Sequence, residues 1–468
     1  MSATQTSSGA PSPALIVVGR ASDAKPDDAL DTRLLGALPR AARVLEVRAG
    51  SDALQRAYCR LNPDAAWTSI DLIAAQRRAV DPRDASEECF DLIVLPGALP
   101  WLADPLALLR SLARRVAADG RLVLSTVNHA TPATLRNLLD GDLGIEPRDA
   151  VLPGQPRLMS PASAYKLLMD AGWMPTLADH EPQAPFAEPA RVAMQALSSA
   201  LGFAAAGAAE RVHQAARLVI EARPLFAGAA GHDAPALFDV LVPTNDERQL
   251  RVNVESSPGL KEVDATIVSY RGARTPAEAF EQGCAHASSD WVLLCHQDIY
   301  FPAGFGRQLN AVLAAIPADK RATTLLGFVG MAAGAQGKGR LPAGFVIDRM
   351  TRADHPASDA AVSLDELAVV MSRDTVHRID PALGWHLWGT DLCLSSIVDR
   401  HVFPRIVRLP LFHNSRTGWQ LPKQFHESAA LLARKWAGFG AIHTLCGVID
   451  AAAPAPAGTV ATAEISPA

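Results

Sequence analysis

Strand-length apolar runs alternating with amphipathic helical segments, in two separate blocks of the chain, constrain the fold more than any other feature. The first block holds ALIVVG (14–19), VLEV (44–47), WTSIDL (67–72), FDLIVL (90–95) and RLVLSTV (121–127), separated by segments such as 105–118 with apolar residues at three- and four-residue intervals. The second block opens with FDVLVP (238–243), continues with DATIVSY (264–270) and reaches WVLLCHQD (291–298). Strands apolar on both faces and alternating with helices predict parallel sheets covered by helices, hence an α/β protein. The chain has 468 residues, about three times the ~150-residue prior for one domain, so two or three domains are expected.

Composition narrows the class. A hydrophobic share of 49% with 20% charged residues is that of a folded chain. Net charge of −5 provides no positive field for a polyanion, which argues against nucleic acid as a partner. Six cysteines are scattered without metal-ligand spacing and read as reduced thiols of a cytoplasmic protein. The start, 1–13, reads as a disordered polar tail without signal-peptide character. The most apolar later stretch, 194–209, is shorter than the ~20 residues of a membrane span. No transmembrane segment is therefore expected, and peripheral membrane contact stays open. The expected divisions are a first domain over 14–189, a helical extension and linker over 190–235, a second domain over 236–448 and an Ala/Pro-rich tail over 449–468.

In the second block, strand WVLLC delivers His296, Gln297 and Asp298 at its carboxyl end, where open α/β sheets place ligands. A carboxylate there can hold a hard divalent cation and leave coordination positions to phosphates. A turn cap before Phe301-Pro302 is the alternative role of Asp298. Segments FDVLVPTNDE (238–247), AEAFEQGCAHASSDWVLLCHQDIYFP (277–302), VSLDELAVVMSRD (362–374), GWHLWGTDLCL (384–394) and FHNS (412–415) together resemble the family 2 glycosyltransferases of the GT-A fold. The resemblance implies Asp298 and His413 as ligands of Mn²⁺ or Mg²⁺, with His296 in place of the family's first Asp. It implies donor or acceptor contacts from Thr244, Asn245, Asp246, His296, Asp365, Trp385 and Trp388. An inverting transfer must take a proton from the acceptor hydroxyl, and the resemblance assigns that to Asp391. A helix-capping Asp391 and core-packing tryptophans remain alternatives.

In the first block, VLEVRAGSDAL (44–54) resembles the glycine-rich first motif of class I S-adenosylmethionine-dependent methyltransferases, with Arg48 where a glycine is usual. Segments 90–128 and 159–173 resemble that family's fourth-strand, helix and fifth-strand run and its later helix. The resemblance implies a Rossmann-like methyltransferase fold, with Glu46, Gly50 and Asp71 holding the cofactor. It assigns no shared catalytic residue, because methyl transfer needs mainly alignment, and it puts Asn128 and His129 near the substrate mouth. The combined expectation is transfer of a sugar from a nucleotide-sugar donor to a glycan or lipid-linked acceptor, fused to a domain suited to methylating sugar. Two rivals stay open: a methyltransferase with a non-catalytic glycan-binding domain, and a non-enzymatic glycan-assembly scaffold.

Overall fold

A computed structural model describes residues 31–48, 51–72, 89–131, 134, 157–182, 188–200, 215–225, 234–334, 339–348, 351–415 and 421–451. The expected strand at 14–19, the tail over 1–13 and Gly50 lie outside these residues, as does the chain beyond Ala451.

The first sheet has the strand order Ala66–Asp71, Arg43–Arg48, Phe90–Pro96, Val116–Val127, Ala215–Pro224, Trp173–Pro182. The first four are parallel, and Ala215–Pro224 runs antiparallel to both its neighbours. Successive side chains of a strand point to opposite faces, and both faces here are apolar. Leu45, Val47, Ile93, Leu95, Leu122 and Leu124 pack with the helices Pro105–Ala113 and Pro161–Asp170. Val44, Leu92, Val94 and Val123 pack on the other side with Leu34, Leu54 and Tyr58. The helix Pro161–Asp170 starts at a reciprocal Ser160/Ser163 capping box with proline at its first position, which satisfies amides left free by the first turn.

One expectation fails here. Residues 190–222 read as helical, yet only Glu188–Ala200 is a described helix, and Ala215–Pro224 is a strand inserted into the first sheet. The first domain therefore extends to Pro224. Its β-branched Val219 and Ile220 are buried between two neighbours that precede it by about a hundred and about forty-five residues, and that pairing outweighs local helical propensity.

The second unit holds two further sheets. One runs Arg405–Ile406, Leu325–Gly327, Ala368–Ser372, Trp291–Cys295, Phe238–Thr244, Ile267–Arg271. Its last three strands are parallel, and Ala368–Ser372 lies antiparallel to Trp291–Cys295. The other runs Ile299–Tyr300, Phe412–His413, Arg340–Asp348, Val329–Ala333, Ala361–Leu364. The segment 362–374, expected as one strand, is two strands in different sheets, with Asp365, Glu366 and Leu367 in the bend between them. The helix Lys423–Lys435 and the hairpin Gly440–Thr444/Gly447–Ala451 close the unit. Ordered chain thus runs through 449–451, which had been assigned to the tail. Among the described residues no helix is long and apolar enough to cross a membrane.

Candidate functional site

Two sheet edges gather polar groups. In the first sheet the strand order switches at Arg43–Arg48, whose neighbours are Ala66–Asp71 on one side and Phe90–Pro96 on the other. The carboxyl ends of strands at such a switch leave a crevice open to ligand. Asp71 ends its strand exposed, in register with Arg48. Gly97, at φ +59°, makes the turn after Phe90–Pro96 and is tied back through its N–H to the Ser125 carbonyl at 3.0 Å.

Glu46 is buried one layer below the crevice. Its Oε2 accepts from Ser69 Oγ at 2.8 Å and Trp67 Nε1 at 3.2 Å, whereas its buried Oε1 has no hydrogen-bond partner. Burial pushes the Glu46 carboxyl up, against the pull of Ser69, Trp67 and Arg48. An unpaired buried carboxylate oxygen below a cofactor-type loop has a donor still to meet. With Asp71 exposed at the neighbouring strand end, these groups fit the adenosyl cofactor implied by the sequence resemblance. Asn128 and His129, expected near the substrate mouth, are held within the domain. Both are buried, Asn128 donating to the Ala215 carbonyl at 2.8 Å and His129 Nδ1 accepting from the Met159 amide at 2.8 Å.

In the second unit, Trp291–Cys295 ends at His296, Gln297 and Asp298. The strand Phe412–His413 pairs with Ile299–Tyr300 so that His413 stands opposite Ile299, and with Arg340–Asp348 so that it also stands opposite Asp348. This register brings three ligand atoms, from His296, Asp298 and His413, within 4.8 Å of one another. His413 Nε2 is 3.5 Å from Asp298 Oδ1, and its Nδ1 is 3.8 Å from Asp348 Oδ1. Burial pushes the His413 imidazole down, but the charge and contact of Asp298, with Asp348 and Asp365 behind, carry it up to about 9. Burial likewise opposes ionisation of Asp298, yet His413 and His296 hold its carboxyl well below the usual carboxylate range. His296 is lowered, by burial and by His413.

Two imidazoles and one carboxylate form a donor set suited to a borderline transition ion such as Fe²⁺, Co²⁺ or Zn²⁺, and open to Mn²⁺, more than to Mg²⁺, which prefers oxygen. His296, expected as a donor or acceptor contact, joins Asp298 and His413 in this set.

The other expected residues divide. Thr244 Oγ1 donates to Gln297 Oε1 at 2.6 Å, and the amides of Asn245 and Asp246 donate to the same oxygen at 3.0 and 2.9 Å. Gln297, overlooked in the sequence, thus ties the 244–246 turn to the strand end carrying Asp298. The Asp246 carboxylate caps the helix Glu247–Val252 through the amides of Arg248 and Gln249. Asp365 closes a turn by accepting from the Leu367 amide at 3.1 Å. Next to it Glu366, also overlooked, accepts from the Gly389 amide at 3.2 Å. Burial and the neighbouring Asp365 push the Glu366 carboxyl up to about 8. A β-carbon at Gly389 would stand 2.8 Å from the Leu364 carbonyl, so glycine permits this approach. Trp385 is 38% exposed, whereas Trp388 is in the core.

Asp391 is placed differently from the general base expected of it. It is 1% exposed, and its two oxygens accept from Lys435 Nζ and Trp436 Nε1, each at 2.8 Å. It is not the N-cap either, since that position of the helix Trp388–Arg400 is Leu387, at φ +64°. The geometry makes Asp391 the anchor holding Lys423–Lys435 against Trp388–Arg400. The six cysteines are unpaired and none belongs to the three-ligand cluster.

Comparison with known proteins identifies the first unit. A family model described as a methyltransferase domain matches residues 20–174. The N-terminal region, 20–174, thus matches a methyltransferase domain. Similar solved structures include an S-adenosylmethionine-dependent methyltransferase from Thermotoga maritima, described as a possible histamine N-methyltransferase, with 14% identity over 41% of this chain and 87% of that one, TM-score 0.24. Human N-acetylserotonin methyltransferase in complex with S-adenosylmethionine shares 18% identity over 41% of this chain and 51% of that one, TM-score 0.25. The YcgJ protein from Bacillus subtilis shares 14% over 41% of this chain and 95% of that one, TM-score 0.25. No curated protein matches. The fold of the second unit is not identified by these comparisons, and none of them supports its resemblance to the family 2 glycosyltransferases.

Proposed function

We propose that the N-terminal domain moves a methyl group from S-adenosylmethionine to a sugar-bearing substrate, and that the second unit binds the glycan or nucleotide-sugar part of that substrate. The observation that carries the methyl-transfer reading is the switch in strand order at Arg43–Arg48, with the unpaired Oε1 of buried Glu46 on that strand and exposed Asp71 on its neighbour. The cofactor supplies an electrophilic methyl group. The chain's part is to hold the adenosyl moiety, with Asp71 accepting from ribose hydroxyls and the free Oε1 of Glu46 left to accept from the cofactor side, and to align the acceptor, since alignment is the main requirement of this chemistry. Calorimetric titration with S-adenosylhomocysteine tests it: binding by the full chain is expected, and no binding would end the reading.

A second reading, sugar transfer by the second unit itself, is favoured by the His296–Asp298–His413 cluster at a sheet edge. A divalent ion held there would neutralise a donor diphosphate, with Asp298 as its one carboxylate ligand and the imidazoles completing the set. Because Asp391 is engaged elsewhere, the proton-accepting group in this reading is Glu366, whose raised affinity for a proton suits a group that takes one near neutrality. UDP- and GDP-sugars titrated with and without Mn²⁺ decide it. Metal-dependent binding followed by release of the nucleoside diphosphate to an acceptor supports transfer; metal-dependent binding without turnover leaves glycan binding as the role. Both readings place the work in the cytoplasm, on a glycan or lipid-linked acceptor.

A further inference from the structure

The methyltransferase domain does not merely precede the second unit; its helix Pro161–Asp170 packs against residues that carry the three-ligand cluster. Tyr300, Phe345, Ile347 and Phe412 of the second unit share one apolar core with Leu168, Met169 and Trp173 of the first. At the centre of this contact Lys166 Nζ donates to the Asn253 side-chain oxygen at 2.9 Å and to the Val252 carbonyl at 3.0 Å. The same ammonium lies 4.4 Å from the ring centre of Tyr300 and 5.6 Å from that of Phe412, the residues two after Asp298 and one before His413. Four residues along the helix, Asp170 accepts from the Tyr300 hydroxyl at 2.5 and 2.6 Å.

From Asn253 one hydrogen-bonded route reaches Asp298, and a second reaches Phe301, three residues further along the same segment. Its side-chain oxygen also accepts from Asn414 Nδ2 at 3.3 Å, and the Asn414 amide donates to the Asp298 carbonyl at 2.9 Å. Its backbone carbonyl accepts from Ser257 Oγ at 2.8 Å, which in turn accepts from the Phe301 amide at 2.9 Å. Asn253 is fully buried. A half-buried ammonium and a half-buried carboxylate from one domain thus clamp both segments that present His413 and Asp298. Partners outside the ligand shell orient ligands and tune affinity.

We propose that Lys166 and Asp170 of the methyltransferase domain are positioning residues for the His296–Asp298–His413 cluster, so that the second unit holds a divalent ion in full strength only when docked on the first. This rests on the metal-binding reading of the cluster and adds a role for the first domain that methyl transfer does not require. The chemical class of ligand is a transition-metal dication on two imidazoles and a carboxylate.

The test is titration of the full chain with Co²⁺ alone, followed by its visible absorption, in the wild type, Lys166→Met and Tyr300→Phe, with S-adenosylhomocysteine affinity measured on the same samples. Lys166→Met should weaken Co²⁺ binding about tenfold, the lower end of the range for partners outside the ligand shell, and change its absorption, and Tyr300→Phe should weaken it by a smaller factor. S-adenosylhomocysteine affinity should stay unchanged in both. Unaltered Co²⁺ affinity and spectrum in Lys166→Met would overturn the proposal. So would a loss of Co²⁺ matched by a loss of S-adenosylhomocysteine binding in Lys166→Met while Tyr300→Phe binds Co²⁺ normally, because that pattern is general unfolding. A wild type that fails to bind Co²⁺ removes the metal reading itself, which is a different failure.

Discussion

At the edge of the first sheet the polar groups stand apart, on separate strands, with Asp71 exposed and Glu46 buried. At the edge of the second unit, by contrast, His296, Asp298 and His413 converge within 4.8 Å and are half-buried. An extended cofactor needs dispersed contacts along a crevice made by strand order; a small ion needs a few donors brought together by register. The two edges therefore respond to perturbation differently. Removing one group from the first weakens binding, whereas removing one from the second abolishes it.

The largest expected effect is at the convergent site. Asp298→Asn should reduce Mn²⁺ affinity by more than about 100-fold, beyond what loss of a partner outside the ligand shell costs, with S-adenosylhomocysteine binding untouched; calorimetry with both ligands checks this. Equal loss at both sites would erase the distinction between them.

Next is Asp391, assigned here to stability. Asp391→Ala leaves Trp436 Nε1 without an acceptor and Lys435 with only Asp380, at 2.7 Å. It should destabilise the chain by about 2–3 kcal/mol, the cost of removing a buried charged acceptor. Denaturant unfolding measures it. Unchanged stability with lost sugar transfer would restore the base assignment.

The ion pair at the second edge also predicts a pH dependence. The folded-state pKa of His413, about 9, is above the ordinary value of about 6.5, so its pairing with Asp298 contributes stability fully present below about pH 6.5. That contribution is lost as pH rises through about 9. Metal must displace the same proton, so Mn²⁺ affinity should rise by about tenfold from pH 7 to 8 and level off above about 9, while thermal stability of the metal-free chain falls over that window. A flat metal affinity would show that His413 is not a ligand.

The smallest effect is at the dispersed site: Asp71→Ala should weaken S-adenosylhomocysteine about fivefold, close to 1 kcal/mol, because the remaining contacts persist. A hundredfold loss would mean that the first edge also depends on one focal group.

How much of this was legible in the sequence follows the same division. The apolar runs at 44–47, 67–72, 90–95 and 121–127 are strands where their composition puts them, because alternation and burial on two faces are local signals. Ala215–Pro224 was hidden because its partners are distant in sequence and the sequence before it is Ala-rich. Asp298 and His413 were legible as separate candidates. That His296 joins them depends on the Ile299–His413 pairing, which no spacing encodes. The contacts of Asp391 were not legible because Lys435 and Trp436, which engage it, lie 44 and 45 residues later. Gln297 could have been noticed as a polar residue between two candidate ligands; Glu366 carried only the signal of a second carboxylate beside Asp365.

The central claim is that the N-terminal domain holds S-adenosylmethionine at the strand-switch crevice, and the most direct measurement is titration of the full chain with S-adenosylhomocysteine in the absence of added metal. The account predicts saturable one-to-one binding, weakened by Asp71→Ala and indifferent to Asp298→Asn. No binding by the wild type, or binding weakened by Asp298→Asn but not by Asp71→Ala, would contradict it.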